Sequence, residues 1–275
     1  MVRTRTDGVL GGLRLDGKAV LVTGGGSGLG REMTLALARA GADIAVAGRR
    51  PGPLNDVVSE VDAMGRHAIA IPTDVTDSAA VASMFDKALL ELGRVDVLVN
   101  NAGIVRGQGG TPIWDVTDEM WRVGIDTNLD GAFYCSRAIA RHMVERGSGK
   151  ILNVSSGFGL RGARDNYMYA CGKGGIVQLT RSLAVSLGRY GVTSNCIVPG
   201  FFPTEATSNT SMALPRADLI PVGRTGRPAE IGPLAVWLAS SASDYMTGEM
   251  FVIDGGGLAG GFAPTGYALE KEMAR

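Results

Sequence analysis

Residues 19–30 read AVLVTGGGSGLG. Ala19–Thr23 has the length and β-branched content of a buried strand. Arg31–Ala40 then shows helical spacing, with Met33, Leu35, Leu37 and Ala38 apolar and Gly41 as a stop signal. Between them, glycines permit backbone angles that other residues avoid and let a phosphate come close to the amides. A helix opening near Ser27 adds free N–H groups and a positive dipole end. The spacing is T-G-x-x-x-G-x-G, not the strict G-x-G-x-x-G fingerprint. Gly24, Gly26, Ser27, Gly28, Leu29 and Gly30 are therefore candidates to hold the pyrophosphate of a dinucleotide.

The same alternation runs outward from this loop. Ile44–Ala47, Ala68–Pro72, Val95–Asn100, Lys150–Ser155, Thr193–Val198 and Met250–Ile253 read as strands. Leu54–Met64, Ala79–Leu92, a long region from Thr117 to Glu145, Tyr167–Arg189 and Ala229–Ser240 read as helices. Strands alternating with helices predict βαβ units, and so an α/β fold: one doubly wound parallel sheet covered by helices on both faces. No composition break divides the chain, so residues 1–275 are expected to form a single domain, with 1–14 a loosely ordered extension. Val105–Pro112 and Phe202–Ile220 look irregular and follow strand ends. Ligands of open parallel sheets bind beyond the carboxyl ends of the strands, which makes both segments candidates for substrate contact.

The bulk properties narrow the function. Lys plus Arg and Asp plus Glu both number 27, so there is no basic excess to draw nucleic acid and no polybasic run for a membrane surface. No apolar run approaches the roughly 20 residues of a membrane helix. Residues 1–17 lack a signal-peptide core. These features predict a cytoplasmic protein. Cys135, Cys171 and Cys196 are too widely spaced for a disulfide framework or zinc site and read as reduced core thiols. His67 and His142 lie outside every motif, which argues against a metal site or a Ser-His-Asp triad. Glycine, at 41 residues, is about twice its usual share of about 7%, as many tight turns would require.

Two further groups carry chemistry. Gly48, at the end of the second strand, stands where an acidic residue would accept from the ribose 2′-OH of NAD, and Arg49 and Arg50 follow. Guanidinium groups suit a 2′-phosphate, which favours NADP(H) over NAD(H). Tyr169 and Lys173 lie at i and i+4 of a helix, on one face and a single turn apart. An ammonium beside a phenol favours phenolate and would bring its pKa down from near 10 towards a useful range. Ser156, at the end of the fifth strand, could bond the substrate oxygen. Tyr167 has only Cys171 as its i+4 partner, which supplies no positive charge.

Together these residues resemble the short-chain dehydrogenase/reductase family, from about Leu15 to Gly256. The likeness rests on residues 23–30, Asp74-Val75, Asn100-Asn101-Ala102-Gly103, Asn128, Ser156, Tyr169 with Lys173, Pro199-Gly200 and Asp254-Gly255-Gly256. It implies a Rossmann-type sheet and an NAD(P)-dependent oxidoreductase acting on a small alcohol or ketone, usually as a homotetramer. Asp74 and Val75 would line the adenine pocket. Asn101, Ala102 and Gly103 would flank the adenosine. Asn128 would hold a water in a proton relay to Lys173, which would also bind the nicotinamide ribose. Pro199 and Gly200 would pack beside the nicotinamide, and Thr204 would bond its carboxamide. Tyr169 would exchange the proton and Ser156 would orient the substrate oxygen.

The C-terminal half resembles 3-oxoacyl reductases and gluconate dehydrogenases about equally. Tyr190 in place of a basic docking residue, and a longer loop after Gly103, depart from the carrier-protein reductases. The substrate pocket is expected from Ile104–Pro112, Ser156–Arg164 and Phe201–Ile220, the last an apolar lid with Phe201, Phe202, Met212, Leu214 and Leu219. Such a lid suits a lipid-like or alicyclic ketone, whereas Arg106, Arg161 and Arg164 would instead suit a carboxylate or another anion. Two other readings of the motifs are a non-catalytic dinucleotide-binding regulator and an epimerase or dehydratase of the extended type.

Overall fold

A computed structural model describes residues 8–105, 110–205 and 219–260. Seven strands, β1 (Ala19–Thr23), β2 (Asp43–Gly48), β3 (Ala68–Pro72), β4 (Val97–Asn100), β5 (Gly149–Val154), β6 (Val192–Pro199) and β7 (Met250–Ile253), form one sheet. Its order is β3-β2-β1-β4-β5-β6-β7. Every pairing is parallel. The chain order reverses between β1 and β4, and that switch point opens a crevice at the carboxyl ends of the two strands.

Alternation along each strand sends side chains to two cores. Val20 and Val22 of β1 and Ile44 and Val46 of β2 meet α1 (Gly28–Arg39), α2 (Pro51–Ala63) and the last helix through Leu37, Leu54, Val57 and Leu238. Leu21 and Ala45 face the other side. There they meet Val81 and Phe85 of α3 (Ser78–Leu92) and, beyond α4 (Asp118–Ile125), Ile139 and Met143 of α5 (Gly131–Glu145). The helix α6 (Tyr167–Leu187) adds Ile176 against Cys196 and Val198, and α7 (Gly232–Ala239) completes the first face. Among the described residues no helix is long and apolar enough to cross a membrane.

The structure differs from expectation at three instructive places. The region expected as one helix from Thr117 to Glu145 is α4 and α5 joined by a π-helical turn, Asp126–Asp130. That turn carries Asn128, and Gly131 next to it lies where a side chain would strike Val75 at 2.7 Å. The fourth strand starts at Val97, two residues after the expected Val95, whereas the first helix opens at Gly28, beside the expected start near Ser27. Glycine is a poor helix former, but a Cβ on Gly30 would lie 2.2 Å from the Gly24 carbonyl oxygen, so close packing excludes a better one. Cys135 and Cys196 are buried as expected, but Cys171 is exposed on α6. At the N-terminal end, Val9–Leu13 form a 3₁₀ turn, and Ser241 donates to the Gly12 carbonyl at 3.2 Å. Residues 1–7 lie outside the described part.

Candidate active site

The glycine loop is built against the end of β4. Gly24 has φ +64°, and a Cβ there would fall 2.9 Å from Ala102 Cα. Thr23 ties the two segments together: its hydroxyl donates to Val99 O (3.3 Å) and accepts from the N–H groups of Asn101 (3.1 Å) and Ala102 (3.2 Å). The Asn101 amide donates to the carbonyls of Thr23 and Gly24, both at 3.1 Å. Ser27 is the N-cap of α1, but its side chain caps no first-turn amide. It accepts from Arg50 Nη2 instead, at 3.3 Å. The first turn of α1 thus keeps its N–H groups and positive end for another acceptor, which fits a pyrophosphate.

At the far rim, the carboxylate of Asp74 accepts from the Thr76 N–H (3.0 Å) and hydroxyl (2.8 Å). The Thr76 amide is the main reason its pKa lies below the usual carboxylate range. Burial opposes that shift, and the Thr76 hydroxyl and the charge of Arg49 support it. Val75 beside it packs on Gly131.

The end of β5 and the first turns of α6 form the other half of the site. Lys173 is buried, and its ammonium donates to Val154 O at 2.9 Å. Burial pushes its pKa down to about 8, with a small opposing influence from Cys196. Ser156 accepts from the Phe158 N–H at 3.2 Å. Burial raises the Tyr169 phenol pKa, and the Ser156 hydroxyl facing it only partly offsets this. The expected acidification by Lys173 is therefore not the dominant effect. The ammonium lies 6.0 Å from the centre of the Tyr169 ring and is turned to the Val154 carbonyl, while the phenol sits in a poorly solvated wall. Phe158 meets Tyr169 edge-on, with ring centres 6.5 Å apart.

Asn128 takes both polar bonds that its amide offers to one neighbour. Oδ1 accepts from Ile104 N at 3.0 Å and Nδ2 donates to Ile104 O at 3.1 Å. This clamps the chain leaving β4. Gly103 lies between the two side chains: a Cβ there would be 2.8 Å from Asn128 Oδ1 and 3.1 Å from Lys173 Nζ.

Every residue expected to bind cofactor or act in catalysis lines one cleft of about 970 Å³ at the switch point. Pro199, Gly200 and Thr204 form its wall after β6. Ile104, Val105, Phe158, Phe201 and Phe202 supply apolar lining, with Phe158 against Tyr169. Arg161 and Arg164 do not line it. Arg161 lies over the Phe158 ring at 5.1 Å, and Arg164 is paired with Asp165 at the surface. Arg106, Met212 and Leu214 lie outside the described residues. In the sequence, Thr23 stands out only as the first residue of the glycine-loop motif, and Ser155 and Asn166, which line the cleft, are not singled out. A lone Ser at a strand end carries no periodic or spacing signal, and these roles depend on partners distant in the chain.

Residues 24–257 match a family model described as enoyl-(acyl carrier protein) reductase. Over 256 residues the chain is 34% identical to the 2-dehydro-3-deoxy-D-gluconate 5-dehydrogenase of Dickeya dadantii, covering 91% of this chain and 99% of that one. It is 36% identical to a 3-oxoacyl-[acyl-carrier-protein] reductase of Synechocystis, covering 88% and 97%. The chain belongs to the short-chain dehydrogenase/reductase family. The crystal structure of a Burkholderia cenocepacia gluconate 5-dehydrogenase, solved with NADP and tartrate, superposes with a TM-score of 0.85 at 34% identity, covering 91% and 98%. As a short-chain dehydrogenase/reductase, the protein is an NAD(P)-dependent oxidoreductase that moves a hydride between a nicotinamide dinucleotide and an alcohol/carbonyl pair.

Proposed function

We propose that this enzyme transfers its hydride by a Ser156–Tyr169–Lys173 mechanism, in one domain that holds both cofactor and substrate, with NADP(H) preferred to NAD(H). The observation that carries the reading is the meeting of Tyr169, Ser156 and Lys173 in the same cleft as the glycine loop. The nicotinamide supplies or accepts the hydride at the substrate carbon. The chain does the rest. The first turn of α1 holds the pyrophosphate, Asp74 and Val75 flank the adenine, and Thr204 faces the carboxamide. Ser156 orients the substrate oxygen and stabilises charge on it. Tyr169 gives that oxygen a proton in reduction and takes it back in oxidation. Lys173, with a pKa of about 8, holds the ribose and exchanges protons near neutral pH. Asn128 fixes the Ile104 backbone and faces the same relay.

Arg49 and Arg50 support NADP(H). No acidic side chain stands at Gly48, and Arg50 already reaches Ser27 at the mouth of the cleft. The substrate is a small secondary alcohol or ketone that the Phe158, Phe201 and Phe202 wall can cover. The assembly is a homotetramer, and a monomeric mass by light scattering would remove that part of the proposal. The central test is reduction of a broad ketone panel with NADPH and with NADH, by the wild type and by Tyr169→Phe. Turnover with NADPH and a loss of at least about a hundredfold in Tyr169→Phe are expected. An undiminished Tyr169→Phe enzyme would overturn the mechanism.

A further inference from the structure

Three consecutive residues at the end of β5 each face the Tyr169/Lys173 pair. Val154 O accepts from Lys173 Nζ at 2.9 Å. The Ser155 hydroxyl donates to the Lys173 main-chain carbonyl at 2.7 Å. The Ser156 hydroxyl faces the Tyr169 phenol. The first and third contacts belong to the chemistry described above, but the middle bond touches no reacting atom. It joins a side chain on the sheet to the backbone of α6, at the residue whose side chain matters most.

The mounting of Ser155 is rigid. Its N–H continues the ladder to Ile197 O at 2.9 Å, and only 3% of the residue is exposed. A helical carbonyl has two lone pairs, so Lys173 O can accept this bond beside its intrahelical one. The bond is also enclosed. A Cβ on Gly159 would lie 2.4 Å from Ser155 Oγ and 2.6 Å from Lys173 O, so the turn that carries Ser156 closes over both. Water cannot replace the hydroxyl there without moving that turn. A hydrogen bond kept from water in this way resists sliding of the helix along the strand.

Resting on the Ser–Tyr–Lys reading, we propose that Ser155 is a positioning residue: its bond to the Lys173 carbonyl sets the register of α6 against β5, and so the spacing of Tyr169 from Ser156. A misplacement of about 1 Å in such a constellation can cost on the order of a hundredfold in rate. The bond has a second consequence. Ser156 is the group that lowers the Tyr169 pKa, against burial. Among the described residues, the titratable group set against the Tyr169 ring is Lys173, itself next to Cys196. If α6 slips, the phenol moves away from the Ser156 hydroxyl and its apparent pKa rises.

The test compares Ser155→Ala and Ser155→Thr with the wild type and Tyr169→Phe, all as full chains with NADPH and one ketone that the wild type reduces. Ser155→Ala is expected to lower kcat by roughly 10- to 100-fold. Its Kd for NADPH should stay within about twofold of the wild type, because the glycine loop does not touch Ser155. Its pH–rate profile should move to higher pH. Ser155→Thr keeps the hydroxyl and should recover most of the rate and the original profile. An unaltered kcat and profile in Ser155→Ala, with Tyr169→Phe inactive, overturns this proposal alone. So does a rate loss matched by equal losses of NADPH affinity and Tm, which marks general damage. An active Tyr169→Phe enzyme overturns the Ser–Tyr–Lys reading and this proposal with it.

Discussion

At the amino end of the sheet, the carboxylate of Asp96 is 4% exposed, and cations surround it. Ala19 N donates to it at 2.9 Å, Lys18 and Arg146 stand 3.6 and 3.5 Å away, and Arg94 bonds it directly. Burial pushes its pKa up, but these partners together hold it below the usual range. At the carboxyl end, Lys173 is as buried but has one carbonyl partner and, among the described residues, no carboxylate within ion-pair distance. Burial wins there, and its pKa falls. The two ends thus treat the same problem, a charge out of water, in opposite ways. One is saturated with partners and joins β1, β4 and α5 into a stable base. The other is left short of partners, at a stability cost, where the proposed mechanism exchanges protons.

Substitutions can break this contrast from either side. The largest effect is expected for Lys173→Met: about a thousandfold loss of kcat/KM, with a Tm at neutral pH at or above that of the wild type. Steady-state kinetics and calorimetry check the pair of effects, and a Met variant that is both active and less stable would erase the contrast. Next comes Asp96→Ala. Removing one partner of a buried ionic cluster costs about 3 kcal/mol, while activity per folded molecule stays at wild-type level. A carboxylate with a lowered folded pKa gives stability that is present above its unfolded pKa and is lost as pH falls through its folded value. The Asp96→Ala penalty in urea melts should therefore shrink below about pH 4.

For Lys173 the sign is the reverse. Its folded pKa of about 8 lies below its unfolded value, so the unfolded chain binds more protons between about pH 8 and pH 10. Stability of the wild type relative to Lys173→Met should rise over that window, by about 2 kcal/mol at most, and stay flat below it. A flat difference throughout would show that Lys173 is better solvated than its burial implies. The smallest effect sharpens the carboxyl end alone. Arg50→Ala should weaken NADPH binding about tenfold and leave NADH binding nearly unchanged, as expected for loss of one charge-assisted contact. Equal losses for both cofactors in fluorescence titration would assign Arg50 to the loop and not to the 2′-phosphate.

Reading the residues alone went far here because each signal was local. The strand run 19–23, the glycine loop after it and the i, i+4 spacing of Tyr169 and Lys173 are set by backbone periods of two and 3.6 residues. Those periods place side chains whatever the rest of the chain does. β1, β3 and β7 follow the expected limits residue for residue. Where local and tertiary demands competed, the sequence reading missed. A π turn interrupts the continuous helical pattern at Asn128, whose amide there bonds the distant Ile104 backbone.

The amino acids by themselves determined the alternation of strands and helices, the glycine loop and the identity of the chemical groups. They could not determine which environment each group meets. Thr23 became the pin between β1 and β4, and Ser155 the bond between β5 and α6, only because strands distant in the chain are neighbours in the sheet. Whether Lys173 lowers the Tyr169 pKa or yields to burial was likewise decided by packing. A charge interaction depends on direction, distance and surrounding dielectric, and none of these is encoded in residue spacing.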